Sequence, residues 1–333
     1  MSQKWFCIFL ALLSLALLPA KVSAAAHQIT YWADNKAGAV SLTFDDGNPS
    51  DYTLAVPALN KRGFKGSFFI ITDRIDNAAW DESTWDEWRD VSNQGHEIGS
   101  HTKTHPHLTQ LSLTRLEEEI GEPKAVIDAQ IITQKCLTFV YPFGEYNDNA
   151  KTIAEEYYIA ARGISCDLNT APYNFYGMRA CSDSRTLGQM KAMTDAAEVQ
   201  GKWLITYYHS LDGTNWTIET FAAYLDYLET KDLWVGTLGS VVKYIKERES
   251  ANLSLISSSE DQIVLSLNDT LDDIIFDEPL TIRSEVPTDW VTVNIHQSSS
   301  IITVFSVVEG TKTVIYYNVI PDRGFITLEN ITE

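Results

Sequence analysis

Two side-chain runs carry most of the chemistry available to this chain. Thr43-Phe44-Asp45-Asp46-Gly47 closes a strand-type run with adjacent carboxylates and a turn-forming glycine. Paired negative charge is costly to desolvate without a cation or a proton, so the pair points to a metal or an acid/base site. Taken alone, the pentapeptide reads equally well as a solvated Asp-Gly turn. The second run, His101-Thr102-Lys103-Thr104-His105, follows another strand pattern. Imidazoles four residues apart face one side if the segment makes a helical turn, which suits a borderline-soft ion, and one carboxylate would complete three ligands. His107 could replace either histidine, but its spacing is poorer and it is expected at the surface. A late run, Leu204-Ile205-Thr206-Tyr207-Tyr208-His209, places a histidine at a strand end, where it could donate a proton. His96 lies inside an apolar strand pattern and is expected to be a satisfied core residue, while His27 and His296 have no acidic or histidine motif beside them.

These residues need a frame to bring them together. From residue 38 onward, strand patterns at 39–44, 64–71, 96–100, 137–141, 158–163, 203–209 and 233–237 alternate with helix-length segments such as 50–62, 80–93 and 113–132, with Gly63 as a stop. Such alternation predicts an α/β fold with parallel strands and covering helices, an irregular (β/α) barrel whose site lies at the C-terminal strand ends. After Glu249 the texture changes to short β-rich runs at 253–256, 263–267, 280–283, 291–295, 301–308, 313–319 and 325–328, separated by turn clusters. These predict a small antiparallel β-sandwich. The expected organisation is residues 25–249 as the catalytic domain and 250–333 as the sandwich. No linker rich in Pro or Gly separates them, so direct packing is expected.

Composition narrows the function classes. With 333 residues, 44% hydrophobic and 21% charged, the chain is a folded protein with packed cores. A net charge of -20 disfavours nucleic acid and anionic bilayers as partners. Lys4, an apolar run to Leu18 and the small-x-small triplet Val22-Ser23-Ala24 read as a secretory signal over residues 1–24, with an uncleaved N-terminal anchor as the alternative. No later segment approaches 18 uninterrupted apolar residues, so no membrane insertion of the mature chain is expected, and its place is outside the cytoplasm, secreted or periplasmic. Cys136, Cys166 and Cys181 remain after the signal, enough for one disulfide; Cys166 with Cys181 is the first choice, and Cys136 could compete for either. No C-x-x-C is present, and the sequence sets no oligomeric state.

The motif set, in its order, resembles the polysaccharide deacetylase family, the carbohydrate esterases of family 4 with a NodB homology domain, over about residues 38 to 245. The resemblance implies a barrel of the NodB type. It also implies that Asp45 is the catalytic base, that Asp46, His101 and His105 hold one divalent metal, and that His209 is the general acid. The family's third motif, commonly Arg-x-Pro-Tyr or Arg-x-Pro-Phe, matches Val140-Tyr141-Pro142-Phe143-Gly144 except at its arginine. By position Phe143 would offer its backbone N–H to the oxyanion. The apolar residue two before the late histidine is here Tyr207, which alters the acetyl pocket. In the family the missing arginine pairs with the catalytic aspartate, so valine at 140 requires a substitute cation. Arg162, ending the next strand, is the candidate, and Asp167 could orient it in turn; a structural ion pair is the competing reading.

The reaction so implied is hydrolysis of an N-acetyl group on an amino-sugar polysaccharide or oligosaccharide of chitin, peptidoglycan or poly-N-acetylglucosamine type. It requires an activated water, charge stabilisation on the carbonyl oxygen and a proton for the leaving amine. Zn2+ is the metal expected from the His-rich ligand set, with Co2+, Ni2+ or Mn2+ possible. Two other readings stand beside it: an O-acetyl esterase on xylan-type glycans, and a catalytically impaired carbohydrate-binding protein. Trp80, Trp85, Trp88, Tyr146 and Trp216 lie in segments that could form sugar-stacking walls, although helix burial explains Trp85 and Trp88 as well.

Overall fold

The computed structural model describes residues 26–77, 79–80, 83–213 and 216–331. The expected signal at 1–24 lies outside them. β1 (His27–Ile29) precedes eight parallel strands: β2 (Gly38–Asp46), β3 (Ser67–Ile70), β4 (Glu97–Ser100), β5 (Thr138–Val140), β6 (Ala160–Arg162), β7 (Cys181–Ser182), β8 (Trp203–Tyr208) and β9 (Leu233–Val235). Their order is β6-β5-β4-β3-β2-β8-β7, and β9 pairs with Gly38–Val40 at the start of β2. The segment after β6 reaches back along it, with Gly163 N–H donating to Met178 O (2.9 Å) and Met178 N–H to Ala161 O (3.2 Å). This curled parallel sheet is the irregular α/β barrel expected from the alternating pattern.

Among the described residues, seven α-helices connect the strands: α1 (Val56–Asn60), α2 (Trp85–Asn93), α3 (Leu113–Gln130), α4 (Asp148–Tyr157), α5 (Leu187–Gln200), α6 (Ile218–Leu228) and α7 (Leu238–Ser250). The sequence places the second helix from residue 80, but a reciprocal Thr84–Glu87 capping box starts it at Trp85. α1 is preceded by a wider turn over Asp51–Ala55, and Gly63 at φ +70° follows it as the expected stop.

The C-terminal β runs all appear, as β10 (Asn252–Ser258), β11 (Gln262–Asn268), β12 (Leu280–Val286), β13 (Thr292–Gln297), β14 (Ser300–Phe305), β15 (Val307–Glu309), β16 (Lys312–Val319) and β17 (Ile326–Asn330). The run at 301–308 is divided at Ser306, and its two halves join different sheets: β10-β11-β17-β13-β14 and β1-β12-β16-β15. Leu265, Ile282, Ile295, Tyr317 and Leu328 from both sheets share one buried core, the sandwich expected from the pattern. Two strands escaped the sequence reading. β7 has two residues, too few for a period, and β1 gains its meaning from β12, with His27 opposite Ser284 and Ile29 opposite Ile282. Tyr244 of α7 is buried in the sandwich core, so the barrel's last helix packs directly on the sandwich.

Candidate active site

Register sets the site at the C-terminal strand ends. Asp45 lies opposite Phe69 and Asp46 opposite Ile70, while Phe44 pairs with Tyr208, so His209 emerges beside the acidic pair. Alternation along a strand sends Asp45 and Asp46 to opposite faces. β2 ends by breaking that rule: Asp46 is at φ +74° and Gly47 at φ +83°, which turns the second carboxylate towards the histidines. Asn48 Nδ2 donates to the carbonyls of Asp45 and His209, tying the two strand ends together.

Asp46, His101 and His105 converge. One ligand atom from each lies within 4.8 Å of the others, and Asp46 Oδ1 is 3.6 Å from Nε2 of both rings. The histidines do not lie on a helical turn, as their spacing suggested. His101 leaves the end of β4, Thr102 (φ +70°) and His105 (φ +66°) adopt left-handed conformations, and His105 N–H donates to Thr102 Oγ1 at 2.9 Å. Buried Glu119 on α3 holds this loop through Thr104 N–H and Thr104 Oγ1, both at 2.8 Å. His101 Nδ1 donates to Val140 O at 2.9 Å, which leaves Nε2 as the lone-pair donor facing Asp46. Burial pushes the His101 pKa down to about 3 and lowers that of His105, so both rings are neutral near pH 7. Two neutral imidazole donors and a carboxylate at this spacing fit a divalent ion of the zinc class.

Asp45 is buried, and its carboxylate meets the guanidinium of Arg162, which is fully enclosed. Val140 and Arg162 are opposite one another on β5 and β6, so the cation enters from the strand next to the expected one. Asp167 does not orient it. That carboxylate pairs with Arg179 at the surface and caps Leu168 N–H, local bonds within its own exposed segment.

His209 Nδ1 is 3.1 Å from Asp183 Oδ2. This bond, above all, raises its pKa to about 9 against the opposing effect of burial. Asp183 and Glu119 were not foreseen. Asp183 follows the two-residue β7 and has no motif around it, whereas Glu119 left a trace as an acid flanked by Leu116 and Ile120 on the buried face of α3.

Phe143 has left-handed backbone (φ +59°), and its ring is half-exposed, packed against His105 (4.6 Å between centroids) and stacked on His107 (4.1 Å). His107 is at the surface as expected, paired with Glu145 at 2.9 Å. His96 is the satisfied core residue: Gly66 N–H donates to Nδ1 at 3.0 Å, and Nε2 is 3.2 Å from Asn60 Oδ1. Trp85 and Trp88 are buried on α2. Trp216 is also buried, against Tyr208 and Tyr224, and forms no sugar wall; Trp80 and Tyr146 are exposed. Cys166 and Cys181 form the disulfide, and Cys136 is free and buried. No helix among the described residues is long and apolar enough to cross a membrane.

The chain is 30% identical to a gellan lyase of a Bacillus species over 90% of its own length, but that stretch is 13% of the relative. It is 29% identical to a peptidoglycan-N-acetylglucosamine deacetylase of Bacillus cereus, over 38% of this chain and 57% of that protein. The chain thus spans only part of these curated relatives. A solved structure from Mycobacterium smegmatis, assigned to the polysaccharide deacetylases, superposes with a TM-score of 0.52 at 15% identity, covering 69% of this chain and 96% of that one, which supports the fold. Residues 33–161 match the polysaccharide deacetylase family model, and Asp45, Asp46, His101 and His105 all lie inside that stretch, so this part of the chain is a polysaccharide deacetylase region.

Proposed function

We propose that this protein is a secreted, metal-dependent deacetylase that hydrolyses N-acetyl groups of an amino-sugar polysaccharide or oligosaccharide. The observation that carries the reading is the Asp46, His101 and His105 donor triangle set directly beside the buried Asp45–Arg162 pair. A divalent ion, zinc by donor chemistry, would be held by those three residues and would supply Lewis acidity to the water and the acyl oxygen. Asp45, held in place by its ion pair with Arg162, accepts the proton of the attacking water. His209, protonated across the neutral range through its bond to Asp183, gives a proton to the departing nitrogen. The Phe143 amide is assigned to the acyl oxygen. Trp80 and Tyr146 are exposed aromatic residues available for substrate contact.

The name of the Bacillus cereus relative favours an amino-sugar glycan of the chitin, peptidoglycan or poly-N-acetylglucosamine class. The gellan lyase name is not carried over, because the shared stretch is 13% of that protein. Residues 25–249 are proposed as the deacetylase domain and 250–333 as an accessory sandwich, with 1–24 as the export signal. The test is acetate release from a panel of N- and O-acetylated glycans. Release from N-acetylated chains supports the reading; release from acetylated xylan alone selects the O-acetyl esterase, and binding without release selects the impaired binder.

A further inference from the structure

Arg162 has the surroundings of an apolar side chain. It is wholly enclosed, and although Nη2 meets Asp45, its Nε and Nη1 have no hydrogen-bond partner among the described residues. A desolvated guanidinium with unpaired N–H groups needs compensation from elsewhere. Two aromatic faces stand where that compensation is available: the Tyr207 ring centroid is 4.9 Å from Cζ and the Phe69 centroid 5.4 Å. Both are inside the range of cation–π attraction, which is strongest away from water.

The sheet register explains how the rings reach the cation. Phe69 is opposite Asp45 on β3, and Tyr207 is opposite Thr43 on β8, two residues before Asp45 on the same face. Val140, opposite Arg162, shares one buried cluster with Phe69 and Tyr207. The short valine leaves the centre of this cluster to the guanidinium and the two rings. The Tyr207 ring also meets His209 edge-on, with centroids 5.6 Å apart.

We propose that Tyr207 is a positioning residue whose ring face, together with that of Phe69, holds the Arg162 guanidinium against Asp45 and so fixes the proton acceptor. Its effect on rate rests on the deacetylase reading; the ring–guanidinium contact does not. The ring face is the working part, so Tyr207→Phe preserves it, and Tyr207→Leu removes it while staying apolar.

The experiment uses the full chain labelled with 13C,15N-arginine, the Arg162 side-chain signals being assigned by their loss in Arg162→Met. The wild type and Tyr207→Phe are expected to show ring-current-shifted Arg162 Nε–H and Cζ signals, and Tyr207→Leu to lose a large part of that shift. In acetate release, Tyr207→Leu is expected to lower kcat about tenfold at unchanged KM and metal content, with Tyr207→Phe near wild type. Tyr207→Leu added to Arg162→Met should bring no further loss, as expected for residues acting as one unit. Arg162 signals that do not move in Tyr207→Leu, or additive losses in the double variant, overturn the proposal. If Tyr207→Leu does not fold, Phe69→Leu removes the other face and is read in the same way. A wild type that releases no acetate would sink the deacetylase reading, and the arginine spectrum would still decide the positioning role.

Discussion

His209 and Asp183 are joined twice: one carboxylate oxygen, Asp183 Oδ2, takes both the ring Nδ1 and the backbone N–H of His209, each at 3.1 Å. The double contact fixes the ring's orientation and leaves Nε2 as the nitrogen able to transfer a proton. It also favours the charged ring, which is why the His209 pKa is lifted to about 9. A raised pKa keeps the acid form present at neutral pH and loses it as pH rises through that value.

Asp183→Asn should therefore move the alkaline limb of the kcat profile to lower pH, because the bond that most favours the imidazolium is gone. Each unit of movement is about a tenfold loss on the alkaline side. The loss should be at least about tenfold larger at pH 9 than at pH 6.5, and an alkaline limb that stays in place would contradict the pairing's role.

Metal content isolates the donor triangle from the chemistry. His101→Ala and His105→Ala each remove one of three protein donors, so each variant should lose about one equivalent of divalent ion after dialysis. His107→Ala, at the surface and bonded to Glu145, should keep it. Retained metal in both of the first two variants would refute the site.

Asp45→Asn should keep its metal and lose at least about a hundredfold in kcat, since an amide cannot take the water's proton. Arg162→Met should also retain metal and lose rate, because Asp45 would then lack the cation that orients it. Near-wild-type turnover in either variant would remove that residue from the account.

A chain ending at Glu249 should be unstable. β1 would lose its partner β12, and Tyr244 would lose the sandwich core. Re-exposing side chains of this size costs about 1.5–3 kcal/mol each. Thermal melting of the shortened chain should show a clear loss of Tm, and an unchanged Tm would show that the barrel does not lean on the sandwich.

Much of this architecture could be read from residue order because parallel strands advertise themselves. Runs such as 39–44 are buried on both faces, and Gly63 stops the helix-type segment that follows the first of them. The acidic pair and the two histidines were legible because they are local runs, and Arg162 because register follows from strand order. What escaped depended on contacts between distant residues. Asp183 meets His209 across 26 positions, Glu119 holds the loop at Thr104 across 15, and β1 joins β12 across more than 250. The helical turn suggested by the His101–His105 spacing failed for a backbone reason: Thr102 and His105 take left-handed conformations, which no periodicity argument anticipates.

The most direct measurement is acetate released from N-acetylglucosamine oligosaccharides by the wild type, by the chelated protein and by the same protein reloaded with Zn2+. Steady release, its loss on chelation and its recovery on reloading are the predicted result, with Asp45→Asn inactive although fully loaded. Equal release before and after complete metal removal, or release by Asp45→Asn at the wild-type rate, would contradict the account.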